Sequence, residues 1–364
     1  MRIAMIGSMM LIASAGFLEI GARALEAAAD RPDSHRDCQR WLTPTYDNDQ
    51  DNPLGLSVGM RAPIPHAKAS LLGHRIELDR WGIRSPVDIE PKNKSVHPRV
   101  LLVGDSVAFG QGLAKEDTPA AQLRKHLKTQ CRSEAQVFSI ACPGWGLDDI
   151  DKATQAGLQH FEVDIVVLLL TLNDLVIDQD QASKARRPWG SEGSALMRLV
   201  HRARRALVSR DQALALAEAA TPVAVAHLQR LSPNLSRIQT LCDQANVSCV
   251  VAISPYANQL GQSIAKDVSV QWGFDMPGDA ITRRNPQRAL CTSTLGQSQI
   301  CVDLAESLLD TEATELFQVS PNGRIDYVHP NRRGVQRMMA QLAASLPLSR
   351  VQCGAPKPNQ PPEN

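Results

Sequence analysis

The 364-residue sequence has few aromatic residues, almost no net charge and none of the common cofactor motifs. Phe, Trp and Tyr make up 4% of the chain, and the formal net charge is +1. This balance argues against a nucleic-acid-binding protein, because such proteins neutralise phosphates with clustered Lys and Arg. The sequence has no Walker loop, no dinucleotide-binding glycine fingerprint and no zinc-type cysteine pair. We therefore expect neither a metal nor an organic cofactor.

A long apolar run lies at the start of the chain, from Ile3 to Leu18, directly after Arg2. A short positive end followed by an apolar centre is the layout of a signal sequence. Ala22-Arg23-Ala24 has the small-residue spacing that a signal peptidase recognises, yet the run is also close to the lower length limit for a membrane span. Residues 1–25 are therefore predicted to be a signal peptide or a signal anchor.

Eight cysteines follow this leader, and an even number is compatible with disulfide bonds in an exported protein. The sequence does not determine how they pair. Cys242 with Cys249 and Cys291 with Cys301 are the economical local pairs, because each pair brackets a short polar loop. Cys142 could equally be a buried free thiol. The eight are Cys38, Cys131, Cys142, Cys242, Cys249, Cys291, Cys301 and Cys353.

Apolar runs alternate with helical segments between residues 98 and 350, which predicts an α/β domain with a central parallel sheet. The predicted strands are 100–103, 136–140, 164–170, 248–253 and 299–304, and the predicted helices are 114–130, 148–160, 235–245 and 332–346.

Three segments do not follow this alternation. Residues 26–97 are rich in Asp, Pro, Arg and Gly, and we interpret them as a linker and lead-in. Residues 196–227 are basic and helix-prone, which predicts a helical insert at about 190–230. A solvated face on that insert is favoured over contact with anionic lipid or polysaccharide. The polar, proline-rich residues 351–364 are predicted to be disordered.

The pattern predicts that a buried strand ends and a helix begins at Gly104-Asp105-Ser106, a position that suits a nucleophile. Glycine lets a substrate approach the backbone, and a helix N-terminus offers free N–H groups to a developing oxyanion. On its own, the tripeptide is more typical of an ordinary turn with a helix N-cap.

A second element, Asp326-Tyr327-Val328-His329, strengthens the catalytic interpretation. A serine nucleophile needs a base, and the base needs an acid that fixes its tautomer; His329 and Asp326 could fill these roles. Asp174 and Asp303 are the next candidates for the acid. Gly144 and Asn173 follow two other predicted strands, so their N–H groups are candidate oxyanion donors at the same sheet edge.

These four blocks resemble the SGNH or GDSL hydrolase family, in which serine, glycine, asparagine and histidine come from separate blocks in this order. The resemblance implies a three-layer α/β/α fold with a central five-stranded parallel sheet of the flavodoxin-like type. It implies that Ser106 is the nucleophile, with Asp326 and His329 as acid and base. It also implies an oxyanion hole made of the Ser106 and Gly144 amides and the Asn173 side chain.

The chain departs from the family pattern at two positions. Ser139 stands where the second block usually has asparagine, and Thr171 stands where the third block usually has glycine. Neither position supplies a group that touches the reacting atoms, so the departures concern details of the pocket. Residues 78–86 resemble a segment that precedes the first strand in many anchored members. We expect its Arg84 to be structural or solvated and not part of the active-site rim.

The resemblance implies acyl transfer through a covalent serine ester. The leading substrate is an O-acylated, and more specifically O-acetylated, carbohydrate outside the cytoplasm, because anchored proteins resembling this one are often associated with exopolysaccharide or cell-envelope modification. A lipase or thioesterase acting on lipid esters is the alternative, and the insert could wall its groove. An O-acyltransferase and a non-catalytic glycan-binding protein are further alternatives.

The same resemblance bears on location and partners. Anchored members often keep their leaders, which favours a single N-terminal anchor at the periplasmic face of the inner membrane over a secreted or periplasmic form. The expected partners are the ester substrate and the membrane, without nucleic acid. The sequence does not determine the oligomeric state.

Overall fold

The continuous apolar runs of the chain form strands in the computed structural model. The structure describes residues 42–43, 53–56, 60, 62–85, 89–92, 96–172, 174, 222–260, 287, 290–291, 300–320, 323, 325–351 and 353. These residues fall in one structural unit, which spans His35–Ile177 and Ala215–Asn364. The leader, the insert before residue 222 and residues 354–364 lie outside the described residues.

The described elements are numbered in chain order. The strands are β1 (Leu42–Thr43), β2 (Ala62–Pro63), β3 (Lys68–Leu71), β4 (His74–Glu77), β5 (Arg99–Gly104), β6 (Gln136–Ala141), β7 (Ile165–Leu170), β8 (Ser248–Ile253), β9 (Ile300–Asp303), β10 (Phe317–Val319) and β11 (Ile325–Pro330). The α-helices are α1 (Ser106–Phe109), α2 (Pro119–Cys131), α3 (Leu147–His160), α4 (Pro222–Gln244), α5 (Ala313–Leu316) and α6 (Arg332–Ser345).

A five-stranded sheet with the spatial order β6-β5-β7-β8-β9 forms the centre of the unit. All its strands are parallel, and Gly104 at the end of β5 lies opposite Ala141 on one side and Leu169 on the other. The order corresponds to 2-1-3-4-5, which is that of flavodoxin-like doubly wound folds. In such folds the chain reverses direction across the sheet beside the first strand, and ligands bind at the carboxyl edge there. Ser106 follows β5 at this edge.

Helices cover both faces of the sheet, which confirms the predicted three-layer α/β/α fold. Successive side chains of β5 alternate between two cores: Val100 and Leu102 contribute to one, and Leu101 and Val103 to the other. Helices α2 and α6 pack on the first face, and α3 and α4 pack on the second. Burial of both faces explains why these strands read as continuous apolar runs instead of alternating ones.

The segment interpreted as a linker and lead-in contains ordered elements that pack on the domain. Strands β3 and β4 form an antiparallel hairpin. Leu71 and Ile76 of this hairpin belong to the first core, and Ile83 and Ile89 belong to the second. The strands are only four residues long and mostly polar, so their periodicity is too weak to be recognised in the sequence.

Strands β10 and β11 pair in an antiparallel hairpin, where the sequence suggested a loop. Helix α4 begins at Pro222, well before the predicted start, and contains Pro233. Within the described residues, none of the helices combines the length and apolar character that a membrane crossing needs.

The described cysteines form two disulfide bonds, Cys131–Cys353 and Cys291–Cys301. The second bond was predicted from the sequence; the first ties residue 353, in the tail predicted to be disordered, to the end of α2. Cys142 is a buried free thiol.

The predicted pairing of Cys242 with Cys249 is wrong, because both are buried free thiols. A hydrogen bond with Cys249, together with burial, raises the pKa of Cys242 far above its ordinary value. A disulfide forms through the thiolate, so this environment disfavours the reaction.

Candidate active site

The turn after β5 places Ser106 at the carboxyl edge of the sheet. Every residue of β5 is buried, and Ser106 begins the short helix α1. Asp105 caps this helix: its Oδ1 accepts a hydrogen bond from the Val107 backbone N–H at 2.9 Å. Gly104 allows the close approach of β7, because a Cβ atom there would collide with the Leu169 carbonyl oxygen. The local sequence thus fixes where the serine hydroxyl points.

The structure brings Ser106, His329 and Asp326 into one hydrogen-bonded chain. His329 Nε2 lies 2.9 Å from Ser106 Oγ, and His329 Nδ1 lies 2.7 Å from Asp326 Oδ2. The other carboxylate oxygen, Asp326 Oδ1, accepts the backbone N–H groups of Val328 and His329 at 3.0 and 3.1 Å. The acid therefore holds both the ring and the backbone of the base. These distances are those of a nucleophile, a base and an orienting acid.

The charges around His329 tune its basicity. Burial opposes protonation of the ring, but the hydrogen bond and charge of Asp326, with a contribution from Asp105, raise the pKa of His329 above its ordinary value. Burial acts against ionisation of Asp326 as well, yet the hydrogen bond and charge of His329 and the two backbone N–H groups lower the pKa of Asp326. The pair therefore favours an ionised acid beside a ring that accepts a proton readily.

Gly144 lies in the turn that follows β6, next to β5 in the sheet. It is exposed and has φ of +81°, in the region that glycine adopts without strain. The Cys142 backbone N–H, at the start of this turn, donates to the Gly104 carbonyl at 3.4 Å, so the turn lies beside the nucleophile strand. Asn173 falls outside the described residues, although Leu172 and Asp174 on either side are described. The oxyanion roles of Gly144 and Asn173 stay predictions.

Asp174 and Asp303, the alternative acids, have other partners in the structure. Asp303 Oδ1 accepts the Ala305 backbone N–H at 3.1 Å and caps a short helical turn. Asp174 Oδ2 accepts the backbone N–H of Thr171 at 2.8 Å and its hydroxyl at 3.1 Å. The Thr171 hydroxyl also lies 3.2 Å from Asp105 Oδ2. This buried polar cluster behind the serine was not identified from the sequence, because it depends on the alignment of β5 with β7.

Arg84 is buried and holds the loop that follows α1, as the structural alternative for this residue predicted. Its guanidinium group donates to the carbonyls of Phe109 at 3.3 Å, Gly110 at 2.7 Å and Leu113 at 2.5 Å. It also lies over the Phe109 ring, 5.2 Å from the ring centroid. Burial lowers the pKa of Arg84 to about 10, against the opposing charge of Glu116. The side chain therefore stays charged at neutral pH.

A metal site would need at least three ligating side chains close together. No group of three or more His, Cys, Asp or Glu residues in the described part of the chain is arranged to hold a metal ion.

Comparison with known proteins finds similarity only among solved structures. No protein-family model matches the chain, and no curated protein matches it. A lipase from a goat rumen metagenome is 15% identical, with a TM-score of 0.41 over 68% of this chain and 96% of that one. A psychrotrophic esterase from Pseudoalteromonas is 13% identical, with a TM-score of 0.36 over 68% and 96%. A lipase/acylhydrolase from Enterococcus faecalis is 13% identical, with a TM-score of 0.36 over 68% and 93%. These values are too low to assign a function, so the assignment must come from the site itself.

Proposed function

We propose that the protein is a serine esterase that transfers an acyl group from an ester to water. The observation that carries this proposal is the hydrogen-bonded chain from Asp326 through His329 to Ser106. A serine hydroxyl is a weak nucleophile until a neighbouring base accepts its proton. The base here is oriented by a half-buried carboxylate and stands at hydrogen-bonding distance from the hydroxyl, which is the arrangement that acyl transfer requires.

The reaction follows from these positions. Ser106 Oγ attacks the carbonyl carbon of the ester while His329 Nε2 takes the hydroxyl proton, and His329 then returns that proton to the leaving alcohol. Water repeats the sequence on the acyl-serine, with His329 again as the base. The backbone N–H groups of Ser106 and Gly144, together with the Asn173 side chain, would stabilise the tetrahedral oxyanion.

The substrate proposed is a short acyl ester, specifically an O-acetyl group on a carbohydrate. The low aromatic content supports a small acyl pocket over a long apolar groove. Trp145, which directly follows Gly144, is 2% exposed and packs into the core. Its surface is therefore buried in the fold and is not open to a long acyl chain.

A comparison of acyl chain lengths tests this proposal. We expect kcat/KM on p-nitrophenyl esters to be highest for acetate and to fall beyond butyrate, and acetylated oligosaccharides to release acetate. A groove for lipids would instead gain about 0.8 kcal/mol for each buried methylene, so efficiency would climb towards octanoate. A steady climb, with acetylated sugars untouched, would replace the carbohydrate proposal by the lipid one.

A nucleophile variant with a matched control tests the chemistry. Ser106→Ala should lower kcat/KM by about 10³-fold or more, because the covalent step is lost. Ser254 is the control, since it also follows a parallel strand of the sheet, but its hydroxyl contacts Met338 Sδ at 3.7 Å. Ser254→Ala should keep activity. An Ser106→Ala enzyme with more than a tenth of the wild-type activity would refute the proposed mechanism.

We further propose that the domain works outside the cytoplasm. The two disulfides support this location, because such bonds persist in oxidising compartments and are rare in the cytosol. The apolar leader at residues 1–25 supports it independently.

A further inference from the structure

Two carboxyl groups are buried together behind the nucleophile. Asp105 and Asp174 are each 1% exposed, and Thr171 between them is fully buried. Thr171 Oγ1 lies 3.2 Å from Asp105 Oδ2 and 3.1 Å from Asp174 Oδ2. The Thr171 hydroxyl connects the two carboxyl groups, and a glycine at position 171 would have no side chain to do so.

The hydrogen atoms available at this cluster limit its charge. The Thr171 hydroxyl has one hydrogen and can donate it to only one of the two carboxyl oxygens it contacts. An ionised carboxylate can only accept, so the second contact is a hydrogen bond only if that acid carries a proton and donates it to Thr171 Oγ1. The observed contacts therefore need one further proton, which resides on one of the two acids. Two like charges buried side by side would also be strongly unfavourable.

The surroundings favour Asp105 as the charged partner. Asp105 Oδ1 accepts the Val107 backbone N–H at the N-terminus of α1, and its Oδ2 lies 3.3 Å from Ser106 Oγ. A helix N-terminus favours a negative charge. His329, which becomes a cation during acyl transfer, also lies within the electrostatic influence of Asp105.

We propose that Asp174 is held as the neutral carboxylic acid and donates a hydrogen bond to Thr171 Oγ1, which in turn donates to an ionised Asp105, so that a single buried negative charge lies beside Ser106 and His329. Asp174 then acts as a positioning residue that fixes the carboxylate of Asp105. Burial and the charge of Asp105 both raise the pKa of Asp174 well above its ordinary value, which agrees with this assignment. Among the described residues, the charged groups near the cluster are Asp105 and, beyond Ser106, His329 with its partner Asp326.

The proton on Asp174 can be tested without any enzymatic activity. At pH 7 the infrared spectrum of the wild type should contain the carbonyl band of a buried protonated acid, and Asp174→Asn should lose it. An unfolded chain ionises this aspartate above a pH of about 3.9. The unfolding constant of the wild type, divided by that of Asp174→Asn, should therefore rise about tenfold per pH unit between pH 5 and 7.

Two outcomes of these measurements would overturn the proposal. A flat ratio together with an absent carbonyl band would show that Asp174 is ionised in the native state. The other outcome is that Asp105→Asn abolishes the carbonyl band while Asp174→Asn keeps it, and that the ratio of unfolding constants rises with pH only for Asp105→Asn. The proton would then belong to Asp105, and the assignment would be wrong.

The consequence for catalysis rests on the proposed esterase function and has its own readout. Asp105→Asn removes the charge that supports protonation of His329, so the acidic midpoint of the kcat/KM profile should move to lower pH. Asp174→Asn removes no charge, so its midpoint should stay within a few tenths of a unit of the wild type, whatever the effect on kcat. Asp151→Asn is the control, because Asp151 is a buried aspartate paired with Arg237 on a different element. Equal downward shifts of the midpoint for Asp105→Asn and Asp174→Asn would contradict the proposal. An inactive wild type would refute the esterase function, but the infrared and stability tests of the Asp174 proton would still apply.

Discussion

His329 and Asp326 are three residues apart on one strand, so a single short segment supplies both the proposed base and its proposed orienting acid. Asp326 binds the ring nitrogen of His329 and also its backbone N–H. The geometry of the pair is thus set within β11, and only the contact with Ser106 depends on the tertiary fold. This explains why a short sequence motif is informative about the base and the acid.

The pH dependence of activity should report the raised pKa of His329. The ring must be neutral to accept the serine proton, so kcat/KM should rise with pH through a midpoint above about 6.5, the ordinary value for histidine. Asp326→Asn removes the charge that raises this pKa, so its midpoint should fall and kcat should drop by up to about 10⁴-fold. A pH–rate profile of both enzymes is the measurement.

Asp303→Asn serves as the control for that profile, because Asp303 caps a turn and does not orient the histidine. Its midpoint should match the wild type. An unchanged midpoint in Asp326→Asn would mean that another group sets the basicity of His329.

Helix α1 is a single turn, and the rest of the molecule must hold it in place. Arg84 does so from the lead-in segment, because its guanidinium group binds three backbone carbonyls in and after α1. Gln318 of β10 binds the Gln111 carbonyl at 2.7 Å from the other side. The nucleophile turn is therefore fixed by elements from both ends of the chain.

Arg84→Met should lower both stability and activity. The variant keeps the apolar stem and loses several buried charge-assisted hydrogen bonds, so we expect a destabilisation of about 3 kcal/mol or more in urea unfolding. Catalytic efficiency in the remaining folded protein should also fall, since the loop that supports Ser106 is released. Arg80→Met is the control: Arg80 pairs with Glu90 at 3.0 Å on the surface, and its loss should cost less than about 1 kcal/mol. If both variants lost the same stability and activity, Arg84 would not have the structural role described above.

The central elements were predictable from sequence because their signals are local. Strand β8 was predicted at its observed bounds, since a strand buried on both faces is a continuous apolar run. The hairpin β3–β4 was not predictable, because only two of its eight strand residues are buried and the strands are short. The cluster of Asp105, Thr171 and Asp174 could not be predicted from the sequence either, since spacing alone gives neither the strand register nor the direction of a side chain.

At the scale of the whole molecule, a disulfide fastens the end of the described chain to helix α2. Cys131 and Cys353 are 222 residues apart, whereas Cys291 and Cys301 are only 10 residues apart. In the chain-entropy model, a cross-link that closes a longer loop restricts the unfolded chain more. The first bond should therefore contribute more to stability than the second.

Paired substitutions should reveal this difference. Removing the long-range bond with Cys131→Ser and Cys353→Ser should lower the free energy of unfolding by about 2–5 kcal/mol. The matched variant with Cys291→Ser and Cys301→Ser should lose less. Denaturant unfolding under non-reducing conditions measures both, and a larger loss in the short-loop variant would contradict the expectation.

The proposed location outside the cytoplasm has a cellular test. A reporter that is active only after export, fused after Asn364, should be active when the full leader is present and inactive when residues 1–25 are deleted. A fusion reporter that works only in the cytoplasm should give the opposite result. Cytoplasmic activity of the full-length fusion would overturn the proposed location.

Ser106 and His329 are 223 positions apart in the chain, so the ribosome synthesises the proposed nucleophile well before its proposed base. A ribosome adds about 5–20 residues per second, so roughly 10–45 s pass between the two. Throughout that interval the growing polypeptide carries a serine with no general base. In the proposed mechanism, a fragment that ends before β11, whether from interrupted translation or from proteolysis, therefore has no esterase activity. The proposed activity arises in one late step, when β11 brings His329 to Ser106.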